Sequence, residues 1–151
     1  MKLYHFTAAE FRRGGTDWGP LMHTRLLFIL DLFRFRWGAA VHISPHAAAL
    51  GRRLGAGVLS DHNVDVHGTV NGADVMPDGM VSRADAERAV RLAIEVGATA
   101  IGVYPHWQPG AGLHLAHRAK CRPGAPALWG AVKRDGRQVY TSIDEALEVM
   151  R

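Results

Sequence analysis

A single cysteine, Cys121, occurs among 151 residues, which excludes a disulfide framework and a cysteine-rich zinc site. Long uncharged apolar runs are also missing. The most apolar stretch, Leu21 to Trp37, is interrupted by His23, Arg25, Asp31, Arg34 and Arg36, so membrane insertion as a spanning helix is excluded. The opening MKLYHFTAAEFRRGG has no apolar h-region, and a chain made in the cytoplasm without a signal peptide is expected. No repeat, linker or low-complexity run divides the sequence, so residues 1–151 read as one domain. Charged residues make up 21% and hydrophobic residues 48%, a globular composition that argues against disorder. The net charge of +4 and a pI near 9.7 suit an anionic partner. The basic residues are scattered, however, and no recognition-helix, zinc-finger or RNA-binding signature is present, so nucleic acid is not expected as a partner. What the chain does have is nine histidines.

Local signals predict the elements. Thr7 to Glu10 reads as a capping box opening a short helix that Gly14-Gly15 ends. Pro20 suits the first turn of a helix to about Trp37, with Leu26, Ile29, Leu30 and Phe33 inward, Leu27 and Phe28 widening the buried face, and Gly38 as the stop. Within it, Phe33-Arg34-Phe35-Arg36-Trp37 reads as core aromatics alternating with solvated arginines. Residues 40–44 alternate like a short strand, and 47–54 fit a helical turn. From Val58 to Asp78 no helical period appears, and a short strand is expected near Gly72–Met76. Ser82 to Asp85 caps a helix through Val96, with Gly97 as its C-cap. Strands follow over 100–104 and 112–116, then a hairpin about Asp135-Gly136, then a last helix capped by Ser142. Early helices and late strands with short links predict an α+β domain, a small antiparallel sheet with helices packed on it.

Metal-type ligands collect in three places: Ser60 to His67, Gly72-Ala73-Asp74, and Gly112 to Arg118. Two imidazoles and a carboxylate from separate segments form a three-ligand zinc set with a fourth position open for water. His5, His23, His42 and His106 read as ordinary surface or core histidines. Tyr104 and Trp107 suit either a substrate groove or the core.

Ser60-x-His62, then Gly-Ala-Asp74, then Gly-Leu-His114 on a strand resembles the zinc D-alanyl-D-alanine peptidases of the Hedgehog/D,D-peptidase fold, which include phage endolysins and cell-wall carboxypeptidases. The likeness runs from about Phe6 to Arg118, and the opening Phe-Thr-x-x-Glu-Phe resembles phage-encoded members. The resemblance implies one Zn2+ per chain on His62, Asp74 and His114, and hydrolysis of amide bonds in peptidoglycan stem peptides or cross-links. It also implies action at the bacterial cell wall or within a phage virion, with other virion proteins as partners. The chain departs from the family in three ways. His62 precedes Asp74 by twelve residues rather than seven, and His67, which stands at seven, is the alternative first ligand. The family's arginine after the strand ending in Ser is replaced by Pro45-His46 after Ser44, leaving Arg52 and Arg53 nearest; Arg52 is taken as substrate-binding. The usual acidic base position holds Ala111, and the His-x-Asp alternative holds Ala116, so His117 becomes the candidate catalytic base. These two losses favour the rival expectation, a non-catalytic virion structural or cell-wall-binding protein that keeps the fold.

Overall fold

Helix α1 (Thr24–Trp37) starts where the His23 ring accepts the Arg25 N–H at 3.1 Å, and ends at Gly38, whose φ of 80° few other residues adopt. The computed structural model describes residues 2–150. Pro20 does not open α1; it lies in a separate 3-10 turn, Gly19–Leu21. The break has a long-range cause. Extended backbone at Met22 pairs with Val70, through His23 N–H to Val70 O at 3.0 Å and Val70 N–H to Leu21 O at 2.8 Å. Leu26, Ile29, Leu30, Phe33 and Trp37 are buried, but Phe28 and Phe35, both expected inside, are exposed.

The first capping box opens only a 3-10 turn, Ala8–Phe11, in which Glu10 accepts the Thr7 N–H at 2.8 Å. Gly14-Gly15 then turns a small hairpin of β1 (Arg12–Arg13) and β2 (Thr16–Asp17). Beyond α1 come β3 (Val41–Ile43), a one-turn helix α2 (Val64–His67), β4 (Gly72–Pro77) and α3 (Arg83–Glu95). The chain continues through β5 (Ala100–Tyr104), β6 (Gly112–Ala116), β7 (Ala127–Arg134), β8 (Arg137–Thr141) and α4 (Ile143–Val149). Segment 47–54 forms turns instead of the expected helical turn, and α2 appears where no helix was expected. Ser82 and Asp85 exchange the two bonds of a capping box at the start of α3. Val96 is the C-cap, and Gly97, with φ of 96°, stands one residue beyond it.

The architecture is α+β, with a six-stranded sheet in the order β3-β4-β6-β5-β7-β8. It is mixed rather than antiparallel, because β5 and β7 pair in parallel. The chain leaves β6 at Ala116, opposite Ala100, passes to the far side of β5, and enters β7 at Ala127, again opposite Ala100. Entering at the end where β5 begins forces the same direction. Thr99 holds the crossover, donating its N–H to Ala116 O and accepting the Ala127 N–H, each at 3.0 Å.

Alternation along the strands sorts the sheet's two faces. Ala73, Val75, Ile101, Val103, Leu113 and Leu115 join α1 and α3 in the apolar core. Asp74, Gly102 and His114 therefore point to the other face. There the register sets Asp74 beside His114, His114 beside Gly102, and Gly102 beside Trp129.

Candidate metal centre

Asp74 and His114 meet because β4 and β6 are paired neighbours; His62 comes from a loop that the sheet's edge holds in place. Arg52 N–H donates to His62 O at 2.8 Å and Val64 N–H to Arg52 O at 3.0 Å, a strand-like bridge. Asp74 N–H donates to Ala49 O at 2.9 Å, tying the same loop to β4. The Ser60 hydroxyl accepts the His62 N–H at 3.3 Å, which gives the Ser-x-His pair a local structural role.

His62, Asp74 and His114 are 5%, 8% and 5% exposed, and one ligand atom from each lies within 4.8 Å of the others. They are the one such group among the described residues. Asp74 Oδ1 is the hub, 2.9 Å from His114 Nδ1 and 3.4 Å from His62 Nε2. The other ring nitrogens are occupied. His62 Nδ1 donates to Leu50 O at 2.5 Å, and His114 Nε2 donates to Asp61 Oδ2 at 3.0 Å. A backbone carbonyl behind one imidazole and a carboxylate behind the other are the usual supports of metal-binding histidines, since they fix ring orientation and raise basicity. The donor set thus fits a divalent metal, which His62 Nε2, Asp74 Oδ1 and His114 Nδ1 would hold.

Asp61 and Arg118 had no role assigned from sequence, although each lies within a run singled out for its ligands. Arg118 grips Asp61 through Nε, at 2.9 and 3.1 Å, and Nη2, at 2.8 Å, and its guanidinium lies 5.1 Å from the centre of the Trp129 ring. Burial alone would raise the Asp61 and Asp74 carboxyls, but hydrogen bonds and charge from His114, with Arg118 on Asp61 and His62 on Asp74, hold both well below the usual carboxylate range. Burial would lower His114, and the same two carboxylates overcome it, holding the imidazole up at about 9.

A cleft of about 600 Å³ opens over this cluster and includes Arg52, Tyr104, Trp107, Trp129, Gln138 and Tyr140 in its walls. The structure thus brings Arg52, Tyr104 and Trp107 to the three ligands. Tyr104 and Trp107 stack at 4.0 Å, and the Tyr104 hydroxyl accepts the Trp129 Nε1–H at 3.0 Å. Burial raises the Tyr104 phenol above its ordinary value.

His117, the candidate base, is not brought to the cluster. It follows β6 three residues after His114, on the opposite side of the strand's alternation, and stacks on His23 at 4.8 Å. Burial, with the charges of His23 and Arg25, lowers its pKa. His67 also stands apart on α2, exposed, with Nε2 at 3.0 Å from Ser60 O. His62→Ala is therefore expected to lose uptake of a divalent metal and His67→Ala to keep it, read by metal analysis after titration and dialysis.

Two glycines make room for the site. A Cβ on Gly72 would stand 2.6 Å from His114 Cε1 and 2.7 Å from Asp61 Cβ; one on Gly102 would stand 2.6 Å from Trp129. Gly72→Ala is expected to push His114 off Asp61 and to cost about 1–3 kcal/mol of stability, the usual range for overpacking. Thermal unfolding with and without zinc measures both effects, and an unchanged zinc response would contradict the displacement.

No family model, curated protein or solved structure matches this chain.

Proposed function

We propose that the chain is a zinc-dependent peptidase that hydrolyses amide bonds in peptidoglycan stem peptides or cross-links, as a phage-encoded lytic or virion-associated enzyme acting at the bacterial cell wall. The carrying observation is the buried set of His62 Nε2, Asp74 Oδ1 and His114 Nδ1, with Leu50 O and Asp61 behind its histidines, beneath an aromatic cleft. The matching order Ser-x-His62, Gly-Ala-Asp74, Gly-Leu-His114 supports the peptidase reading. One zinc held there supplies Lewis acidity for polarising a carbonyl and activating water.

The chain's own residues supply the rest. Asp74 sets one negative charge among the two imidazoles, and Asp61 keeps the His114 ring aligned. Tyr104, Trp107 and Trp129 shield the cluster from bulk water and offer flat apolar walls to a peptide. Arg52 places positive charge in the same cleft, suited to the carboxylates of stem peptides.

One observation favours a second reading, a cell-wall-binding or virion structural protein that retains the metal. Among the described residues, the only carboxylates lining the cleft are Asp74, within the donor set, and Asp61, gripped by Arg118. A placed base is worth roughly 10²–10⁴-fold in rate, so turnover is expected to be slow. Zinc-loaded protein incubated with purified sacculi and synthetic stem peptides tests the choice by mass spectrometry of released fragments. The peptidase reading expects fragments that vanish in His114→Ala and persist in His117→Ala; intact substrates would leave the binding reading.

A further inference from the structure

Helix α1 carries large apolar side chains on its outer face as well as on the face that the sheet and α3 cover. Phe28, Leu32 and Phe35 are 52%, 43% and 61% exposed, and their spacing of four and three residues aligns them in one row. Tyr4, 77% exposed, extends the patch, since its N–H donates to Asp31 Oδ2 at 3.2 Å, next to Leu32. The His5 N–H donates to the other oxygen of that carboxylate at 2.8 Å, and its ring stacks on Phe35 at 5.1 Å. Asp31 is thereby buried and occupied, so α1 shows no acidic group on this face. Glu95, on α3, is engaged by Arg36 at 3.0 Å. Cations border the patch: Arg25 in the first turn of α1, and Lys2 with its Nζ 5.7 Å from the Tyr4 ring; Arg36 in the last turn is neutralised by Glu95. A contiguous exposed apolar row rimmed by polar residues marks an interaction surface.

We propose that this face of α1 docks on an anionic lipid surface. The helix lies in the plane of the interface, with Tyr4, Phe28, Leu32 and Phe35 entering the headgroup region and Lys2 and Arg25 meeting lipid phosphates. Aromatic and aliphatic side chains bordered by Arg and Lys are the composition of an interfacial helix. At 14 residues α1 is about 21 Å long, and its charges bar it from crossing.

Co-sedimentation of the full chain with vesicles tests this. Phosphatidylcholine containing about one-third phosphatidylglycerol is expected to bind at least about tenfold more protein than phosphatidylcholine alone, with the excess lost in about 0.5 M salt. Phe28→Ser/Phe35→Ser is expected to cut binding at least about tenfold while zinc uptake stays unchanged, separating this face from the metal site. Lys2→Gln/Arg25→Gln should remove most of the preference for anionic vesicles. Equal retention on both vesicle types, or none on either, would overturn the proposal. So would a concentration-dependent dimer in sedimentation velocity that Phe28→Ser/Phe35→Ser dissolves, which would assign the face to a second copy.

Discussion

Asp74→Asn is expected to abolish high-affinity zinc binding while leaving the fold in place. The Asp74 Oδ1 atom is the one that approaches both histidines, at 2.9 Å from His114 Nδ1 and 3.4 Å from His62 Nε2. Exchanging carboxylate for amide keeps the size and removes the anionic ligand, leaving two imidazoles that cannot complete a three-ligand site. A large loss of affinity is expected, since one of three donors is replaced by an uncharged amide oxygen, a much weaker ligand for zinc. Asp74→Ala should lose zinc equally and stability as well. It would strip a buried, charged His114 of one of its two carboxylate partners, a kind of change that costs about 3–5 kcal/mol when the remaining charge stays uncompensated. His114 can shed its proton, which caps the loss below that range. Competition with a chromophoric chelator measures the affinity, and thermal melts measure the fold. Stoichiometric, tight zinc in Asp74→Asn would mean that the metal sits elsewhere.

Stability and zinc affinity are expected to respond to pH in opposite directions above neutrality. Without metal, His114 is held up at about 9 from an ordinary 6.5. Its protonated form therefore contributes to folding fully below about pH 6.5, and that contribution is lost as pH rises toward 9. Asp61 and Asp74 are held below their ordinary 3.8, so their contribution is complete above about pH 4 and lost on acidification. The metal-free chain should be most stable between those limits. Zinc must displace the His114 Nδ1 proton, so its apparent affinity should climb about tenfold per pH unit, roughly a hundredfold from pH 6 to pH 8. Calorimetric titration in buffers of different ionisation enthalpy should also count about one proton released per zinc at pH 7. A flat affinity profile over that interval would contradict a doubly hydrogen-bonded His114 as a ligand.

How much of this was legible beforehand depends on the range over which each feature is encoded. Ser82 with Asp85, Asp135-Gly136, Ser142 and Gly38 are short-range devices, satisfied within four or five residues, and each works in the fold as its local chemistry requires. The three cluster residues were singled out through a family resemblance carried by local patterns, Ser-x-His, Gly-Ala-Asp and Gly-Leu-His, with His67 left as the alternative to His62. The site's assembly was not legible, because nothing local states that Asp74 pairs opposite His114 or that the 47–54 loop delivers Leu50 O behind His62. His62 outranks His67 through that loop, not through spacing to Asp74. Asp61 and Arg118 are 57 residues apart and meet only when β6 joins β4. The parallel β5–β7 pair follows from where the crossover re-enters the sheet, which no hairpin signal encodes.

Local sequence signals were enough for α1, α3, α4, most strands of the sheet and the α+β class, since these rest on hydrogen bonds and periodicities closed within a few residues. They did not reveal the one-turn helix α2 or the β1–β2 hairpin, and the break before α1 was settled by pairing with Val70, distant in the chain. Only the tertiary structure decided which residues face one another. It brought His62, Asp74 and His114 together, turned His117 away toward His23, and left Phe28 and Phe35 uncovered on α1. The physical reason is that strand register and helix packing are set by the whole core at once, and a one-residue change of register would send Asp74 and His114 to the opposite face of the sheet.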